Sequence, residues 1–230
     1  MRLRSDPYPK IKVLYEDNHL LALFKPAGIP TQGDITGDLS LLDWARRWVG
    51  KKYAKPGAVY IGLVHRIDRP VQGVVVFART SKAAARLSEQ FRNHTVRKTY
   101  LAVIHEVPKK PEGDIMLYLA KGRGKSLVAS QDDPRAKLAG LHYRVIDSVT
   151  GFCLVEVDPI TGRHHQIRAS LAQIGHPILG DIKYGSPARI NPGAIALLAS
   201  TITCRHPTRD MTITIESPLP QDWPWPPSRA

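Results

Sequence analysis

Strand-like runs that follow one another directly, with few helical segments between them, constrain this chain more than any other feature. Short apolar or alternating runs occupy residues 99–105, 115–119, 141–148, 152–157, 195–203 and 211–216, each bounded by Gly, Pro or Asp. Ahead of them, IKVLYEDNHLLALFKPAG places two apolar runs around Asp17-Asn18, the turn chemistry of a hairpin. Adjacent strands without intervening helices disfavour a βαβ alternation. The pattern predicts an α+β fold, a largely antiparallel mixed sheet with flanking helices.

Three segments carry helical spacing. Ser40-Leu41-Leu42-Asp43 reads as a capping box, with Leu42, Ala45, Trp48 and Val49 turned inward and Gly50 as the stop. Residues 80–92 begin on Thr-Ser, run through Ala83-Ala84-Ala85 and place Leu87 and Phe91 four apart. Ile167, Leu171 and Ile174 mark the third, closed by Gly175. No internal repeat is visible. The 230 residues can bury one full core, so a single domain over 1–230 is expected, its core at 11–220. A Pro-rich tail covers 219–230.

Charge narrows the partners. Thirty-three Lys and Arg against 20 Asp and Glu give +13, the footprint of a protein that meets a polyanion, RNA or DNA first. Cys153 and Cys204 stand alone, without CxxC or paired-His spacing, so neither a zinc site nor a disulfide framework is expected. The N-terminus lacks an apolar leader and no long apolar run follows, so the expected setting is cytoplasmic, with no membrane partner.

Four places could carry chemistry. In LVHRIDRPVQGVVVFART, Asp68 stands between Arg66 and Arg69 just before a strand. Arginines near a carboxylate favour its ionised form, as a nucleophile or base requires; a turn cap paired with Arg69 would read the same way. Tyr100 follows Arg97-Lys98 on a strand, where a tyrosine either packs in the core or stacks a base. Lys121, Arg123 and Lys125 alternate with glycines, as in a phosphate-contacting loop or a solvated hairpin tip. Finally, Thr161 to Arg168 resembles a helix start, with exposed N–H groups and basic side chains suited to phosphate. A metal pair at His164-His165 is disfavoured, because adjacent helical side chains diverge and no third ligand follows.

Taken in order, HRIDRPVQGVVVFA, RKTYLAVI and TGRHHQIRASLAQIGHPILGDIKYG resemble the RluA-type pseudouridine synthases, which isomerise uridine in RNA. The likeness runs from VLYEDNHLLALFKPAGIP to RHP and ESPLP, about residues 11–220. It implies the pseudouridine synthase catalytic fold with a central RNA-binding cleft and no separate N-terminal RNA-binding domain of the kind some relatives carry. Asp68 would be the catalytic aspartate acting on the ribose, Arg66 would enter the base stack, Tyr100 would pack on the uracil, and Arg168 would pair with Asp68. RNA, transfer or ribosomal, would be held by Arg66, Arg69, Lys98, Lys121, Arg123, Lys125, Arg163, His164 and His165. No cofactor or metal is expected, since substrate and product are isomers, and a monomer is expected. Two departures stand out: Val71-Gln72 where Thr-Ser is common, and His164 where Thr is common. A non-catalytic RNA binder and a base-releasing glycosylase are the competing readings.

Overall fold

A computed structural model of the chain describes residues 11–226. Eleven strands form one sheet. In chain order they are β1 (Lys12–Glu16), β2 (Leu20–Lys25), β3 (Gly62–Leu63), β4 (Gln72–Ala78), β5 (Arg97–His105), β6 (Glu112–Lys121), β7 (Ser126–Ala129), β8 (Lys137–Val149), β9 (Phe152–Pro159), β10 (Leu197–Arg205) and β11 (Thr212–Glu216). The spatial order is β1-β2-β4-β10-β5-β9-β8-β6-β7, with β3 beside β4 and β11 beside β10. Every pairing is antiparallel except β4 with β10, where Leu198 opposes Gln72 and Ala199 opposes Gly73. The α+β expectation therefore holds. It also acquires a seam: the single parallel pairing joins the β1–β4 half to the half built from β10, β5, β9, β8, β6 and β7.

The seam forms where it does because β2 and β4 are buried along their whole length, LLALFK and QGVVVFA, as continuous apolar runs require. Three helices flank the sheet: α1 (Leu41–Lys52), α2 (Ser81–Arg92) and α3 (Gln166–Gln173). The Ser40–Asp43 capping box is present in both directions. Thr80 caps α2 through the Ala83 N–H at 3.2 Å. No helix is long and apolar enough to cross a membrane among the described residues.

Three expectations need correction. Gly50 does not stop α1, which continues to Lys52 with Tyr53 at its end; a glycine weakens a helix by only about 1 kcal/mol, and the buried face from Leu41 to Val49 outweighs that. Strand β7 was not expected, because four residues with two exposed side chains carry little periodicity. And α3 begins only at Gln166: residues 161–165 form a tight loop folded over the Gln166 side chain. Its Oε1 accepts from the Thr161 hydroxyl at 2.6 Å and the Arg163 N–H at 2.9 Å, and its Nε2 donates to the Gly140 carbonyl at 2.8 Å. The first turn of α3 is thus buried and offers no open phosphate seat. The Pro-rich tail call falls partly on residues 227–230, outside the described residues.

Candidate active site

The Asp68 loop runs from β3 to β4 and sits over the parallel seam. Three side chains fix it from below. His65 is stacked on Phe91, centroids 4.7 Å apart, and its Nε2 accepts the Val76 N–H at 2.9 Å. That acceptor role requires a neutral ring, and burial, with the charge of Lys98 adding to it, pushes the His65 pKa down to about 3. Lys25, fully buried at the end of β2, donates to the carbonyls of Pro26 (3.0 Å), Ile29 (2.8 Å) and Arg69 (3.0 Å). Its three N–H groups so tie β2, the following loop and the Asp68 loop together, while burial draws its pKa down to about 7 against the opposing charge of Asp68. Thr31 adds a further clamp, its hydroxyl donating to the Ile67 carbonyl at 2.8 Å.

Asp68 emerges from this support with its side chain 26% exposed. Its charged neighbour is not Arg69. That guanidinium turns away, donating to the Gly28 carbonyl at 2.9 Å and pairing with Asp34 and Asp38. Arg66 is exposed at the rim. The expected flanking by two arginines is therefore replaced by a partner one hundred residues away: Arg168 Nη1 lies 3.3 Å from Asp68 Oδ2. Charge alternation along this loop does not survive as contact, because Arg69 is drawn to the Gly28 carbonyl and to Asp34 and Asp38 while Arg66 is exposed at the surface.

Arg168, 4% exposed on α3, has a second carboxylate that the sequence reading did not single out. Its Nε and Nη2 donate to the two oxygens of Asp181 at 2.7 and 2.8 Å, a bidentate pair. Burial works against the charged guanidinium, but the bonds to Asp181 and the charges of Asp181 and Asp68 outweigh it and raise its pKa. Asp181 lies inside GHPILGDIKYG, thirteen residues after Arg168; a lone acid in a glycine-flanked loop gives no periodic signal, and only its place in the third motif marks it. Lys25 was missed for a similar reason, reading as a charged residue that merely ends a strand.

Tyr100 and Lys98 share one face of β5 and line the same cleft as Asp68, a space of about 470 Å³ that also touches Val71, Phe91, Arg163 and Leu197. Burial, with the charge of Asp68 adding to it, raises the Tyr100 pKa, so the phenol stays protonated. Burial lowers that of Lys98. A second, wider cleft of about 1090 Å³ meets the first at Asp68 and carries Arg66, Arg69, Lys121, Lys183 and Arg189 along its walls. Arg123 and Lys125 lie outside both clefts, exposed at the β6–β7 tip. Arg163 borders the smaller cleft and donates from Nε to the Leu138 carbonyl at 3.0 Å.

His164 and His165 do not diverge as adjacent helical residues would. His165 precedes the helix in a left-handed conformation (φ 52°, ψ 24°), which lays its ring parallel to His164 at 3.8 Å between centroids. Its Nε2 is 3.6 Å from Asp68 Oδ2. No group of three or more His, Cys, Asp or Glu able to hold a metal exists among the described residues. Of the unusual pair Val71-Gln72, Val71 is buried in the cleft wall, whereas Gln72 lines a different cavity beside the 218–224 segment.

Residues 19–173 match the family described as RNA pseudouridylate synthase. Relatives include ribosomal large subunit pseudouridine synthase C of Rickettsia bellii, 36% identical over 176 residues, which cover 76% of this chain and 56% of that protein. Ribosomal large subunit pseudouridine synthase D of Zymomonas mobilis is 32% identical, covering 92% of this chain and 70% of that one. The chain thus spans little more than half of the first relative's length and 70% of the second's. Among solved structures, human RNA pseudouridylate synthase domain containing 4 superposes with a TM-score of 0.78 at 25% identity, over 92% of this chain and 89% of that one. Human domain containing 1 shares the fold, with a TM-score of 0.74. On the matched span, the motif order and the shared fold, this chain belongs to the RNA pseudouridylate synthase family, of the RluA type.

Proposed function

We propose that the protein isomerises uridine to pseudouridine in RNA, with Asp68 as the catalytic residue. The observation that carries this reading is the convergence of Asp68, Arg168 and Tyr100 on one cleft at the seam. A uracil cannot be detached, turned and rejoined while stacked in a helix, so the nucleotide leaves its stack at a cost of a few kcal/mol. Arg66, exposed at the rim of both clefts, is positioned to fill the gap it leaves. Asp68 acts on the ribose, by attack at C1′ or by removal of the C2′ proton, and the N1–C1′ bond breaks. The base turns, C5 bonds to C1′ as the ester bond to Asp68 breaks or the proton returns to C2′, the hydrogen on C5 leaves as a proton, and N1 takes one up.

Each neighbour has a part in this sequence. Arg168 fixes the carboxylate and is itself fixed by Asp181. Tyr100, protonated, packs against the uracil. Asp68 is the single carboxylate lining the smaller cleft among the described residues, and once released from the ribose it can accept the C5 proton. The cationic walls of the wider cleft, with Arg123 and Lys125 beyond them, hold phosphates. Large-subunit ribosomal RNA is the first substrate to try, because the relatives are named for it; transfer RNA is the second. Single-stranded loops suit the cleft better than duplex, since their bases splay out freely.

Nucleoside analysis of ribosomal and transfer RNA transcripts after incubation with the protein tests the reading. Pseudouridine in either transcript is the expected result. Free uracil would point instead to a glycosylase, and unchanged RNA held tightly at low salt would point to a binding protein.

A further inference from the structure

The β6–β7 hairpin carries the basic tip on one edge of the sheet, where β6 is paired along β8 and the tip end makes specific contacts of its own to residues 164 and 183–184. Ser126, buried at the start of β7, is the hub. Its N–H donates to the Tyr184 hydroxyl at 2.7 Å, and its own hydroxyl donates to the His164 carbonyl at 2.5 Å and lies 3.0 Å from His164 Nδ1. Lys183 Nζ donates to the Gly124 carbonyl at 2.9 Å. The tip is thus fastened to His164, the neighbour of the His165 that faces Asp68, and to residues 183–184.

The chain of contacts continues inward. The Tyr184 hydroxyl lies 3.0 Å from His165 Nδ1, and His165 Nε2 lies 3.6 Å from Asp68 Oδ2. A lone pair on Nε2 would face a carboxylate and be repelled, so the ring proton belongs on Nε2 and Nδ1 accepts from the Tyr184 O–H. The Tyr184 oxygen in turn accepts the Ser126 N–H. With the Tyr184 proton on His165 Nδ1 rather than on the Ser126 carbonyl, which lies 3.2 Å from the same hydroxyl, the donors point from the hairpin towards Asp68. Burial first, then the positive charges around it, push the His165 pKa down to about 3, which keeps the ring neutral and the order intact. The left-handed backbone at His165 is what turns its ring out of the helix and into this line.

We propose that Ser126, Tyr184 and His165 form a relay by which seating of the basic β6–β7 tip on RNA orients the Asp68 carboxylate, with Tyr184 and His165 as positioning residues. The proposal rests on the isomerase reading above. At 3.6 Å the last contact is longer than a hydrogen bond, and a movement of about half an ångström closes it. Phosphates drawn onto Arg123 and Lys125 press the hairpin, and through Ser126 the Tyr184–His165 pair, towards Asp68. RNA that fails to reach the tip leaves the contact open, so the relay favours substrates long enough to span from the cleft to the hairpin.

A double-mutant cycle tests this on the full chain. Tyr184→Phe removes the hydroxyl and keeps the ring, whose centroid lies 5.1 Å from the Arg168 guanidinium. It should lower kcat about tenfold with KM within about twofold, as expected of a misplaced catalytic group. Arg123→Ala with Lys125→Ala should raise KM and also lower kcat. In the Tyr184→Phe background the same two changes should raise KM and leave kcat where it was, a non-additive result. Nitrogen-15 spectra of the imidazoles give a readout independent of turnover: His165 should be the Nε2–H tautomer in the wild type and lose that bias in Tyr184→Phe. Wild-type kcat in Tyr184→Phe, additive kcat losses, or an Nδ1–H tautomer in the wild type would each overturn the relay while leaving the isomerase reading standing. A wild type that makes no pseudouridine would reject both.

Discussion

At the scale of single residues, Arg168 is the group on which the site depends, because it is a buried cation shared between two carboxylates of different purpose. Asp181 neutralises it with two short bonds, and Asp68 touches it with one longer bond and remains partly open to solvent. The two acids should therefore respond differently to removal. Asp181→Ala leaves the guanidinium buried with one distant partner, and should destabilise the fold by about 3–5 kcal/mol in urea unfolding. Asp68→Ala leaves the bidentate pair whole and should cost well under half of that; a larger loss than for Asp181→Ala would contradict this assignment. His65 makes a second residue-level prediction. Its folded pKa of about 3 lies below the ordinary 6.5, so the unfolded chain takes up a proton first as the pH falls. Stability is therefore lost progressively from about pH 6.5 towards pH 3. His65→Gln keeps an acceptor for the Val76 N–H but cannot titrate, and the fall in Tm between pH 7 and pH 5 should shrink. An unchanged fall would show that His65 is not its source.

At the scale of elements, the seam between β4 and β10 is where sequence and structure agree least obviously. Gly73 sits there with φ +120°, and a Cβ at that position would lie 2.2 Å from the Ala199 carbonyl oxygen. No side chain fits without parting the two strands, and Tyr100 pairs with Ala199 from the other side. Gly73→Ala should accordingly lower both stability and activity, by several kcal/mol in unfolding, whereas Gly28→Ala, which meets open space, should lose only the smaller cost of its positive φ. Equal losses in the two variants would remove the seam from the account. The antiparallel strands other than β7 were legible from their runs, and α2 from its threonine start. The parallel seam was not, because β10 reaches β4 from 120 residues away and nothing local in LLASTITCR announces its neighbour. Likewise Asp68, Tyr100 and Arg168 could be named from three ordered motifs, while Lys25 and Ser126 lie outside them and Asp181 and Tyr184, inside the third, were not singled out. Their roles come from packing, and a side chain that supports another leaves no spacing rule in the sequence.

At the scale of the whole molecule, the +13 charge and the two clefts that meet at Asp68 describe a surface that attracts RNA before any base is recognised. Binding and chemistry should then separate cleanly, since phosphate contacts are spread along the cleft walls and the tip, while the reaction depends on one carboxylate. The most direct measurement is hydrogen release from C5-tritiated uridine in ribosomal and transfer RNA, comparing the wild type with Asp68→Ala, alongside RNA affinity for both. Joining C5 to the ribose must expel that hydrogen. The account predicts release by the wild type and none by Asp68→Ala, with affinities within about tenfold of each other. Release that persists in Asp68→Ala would contradict it.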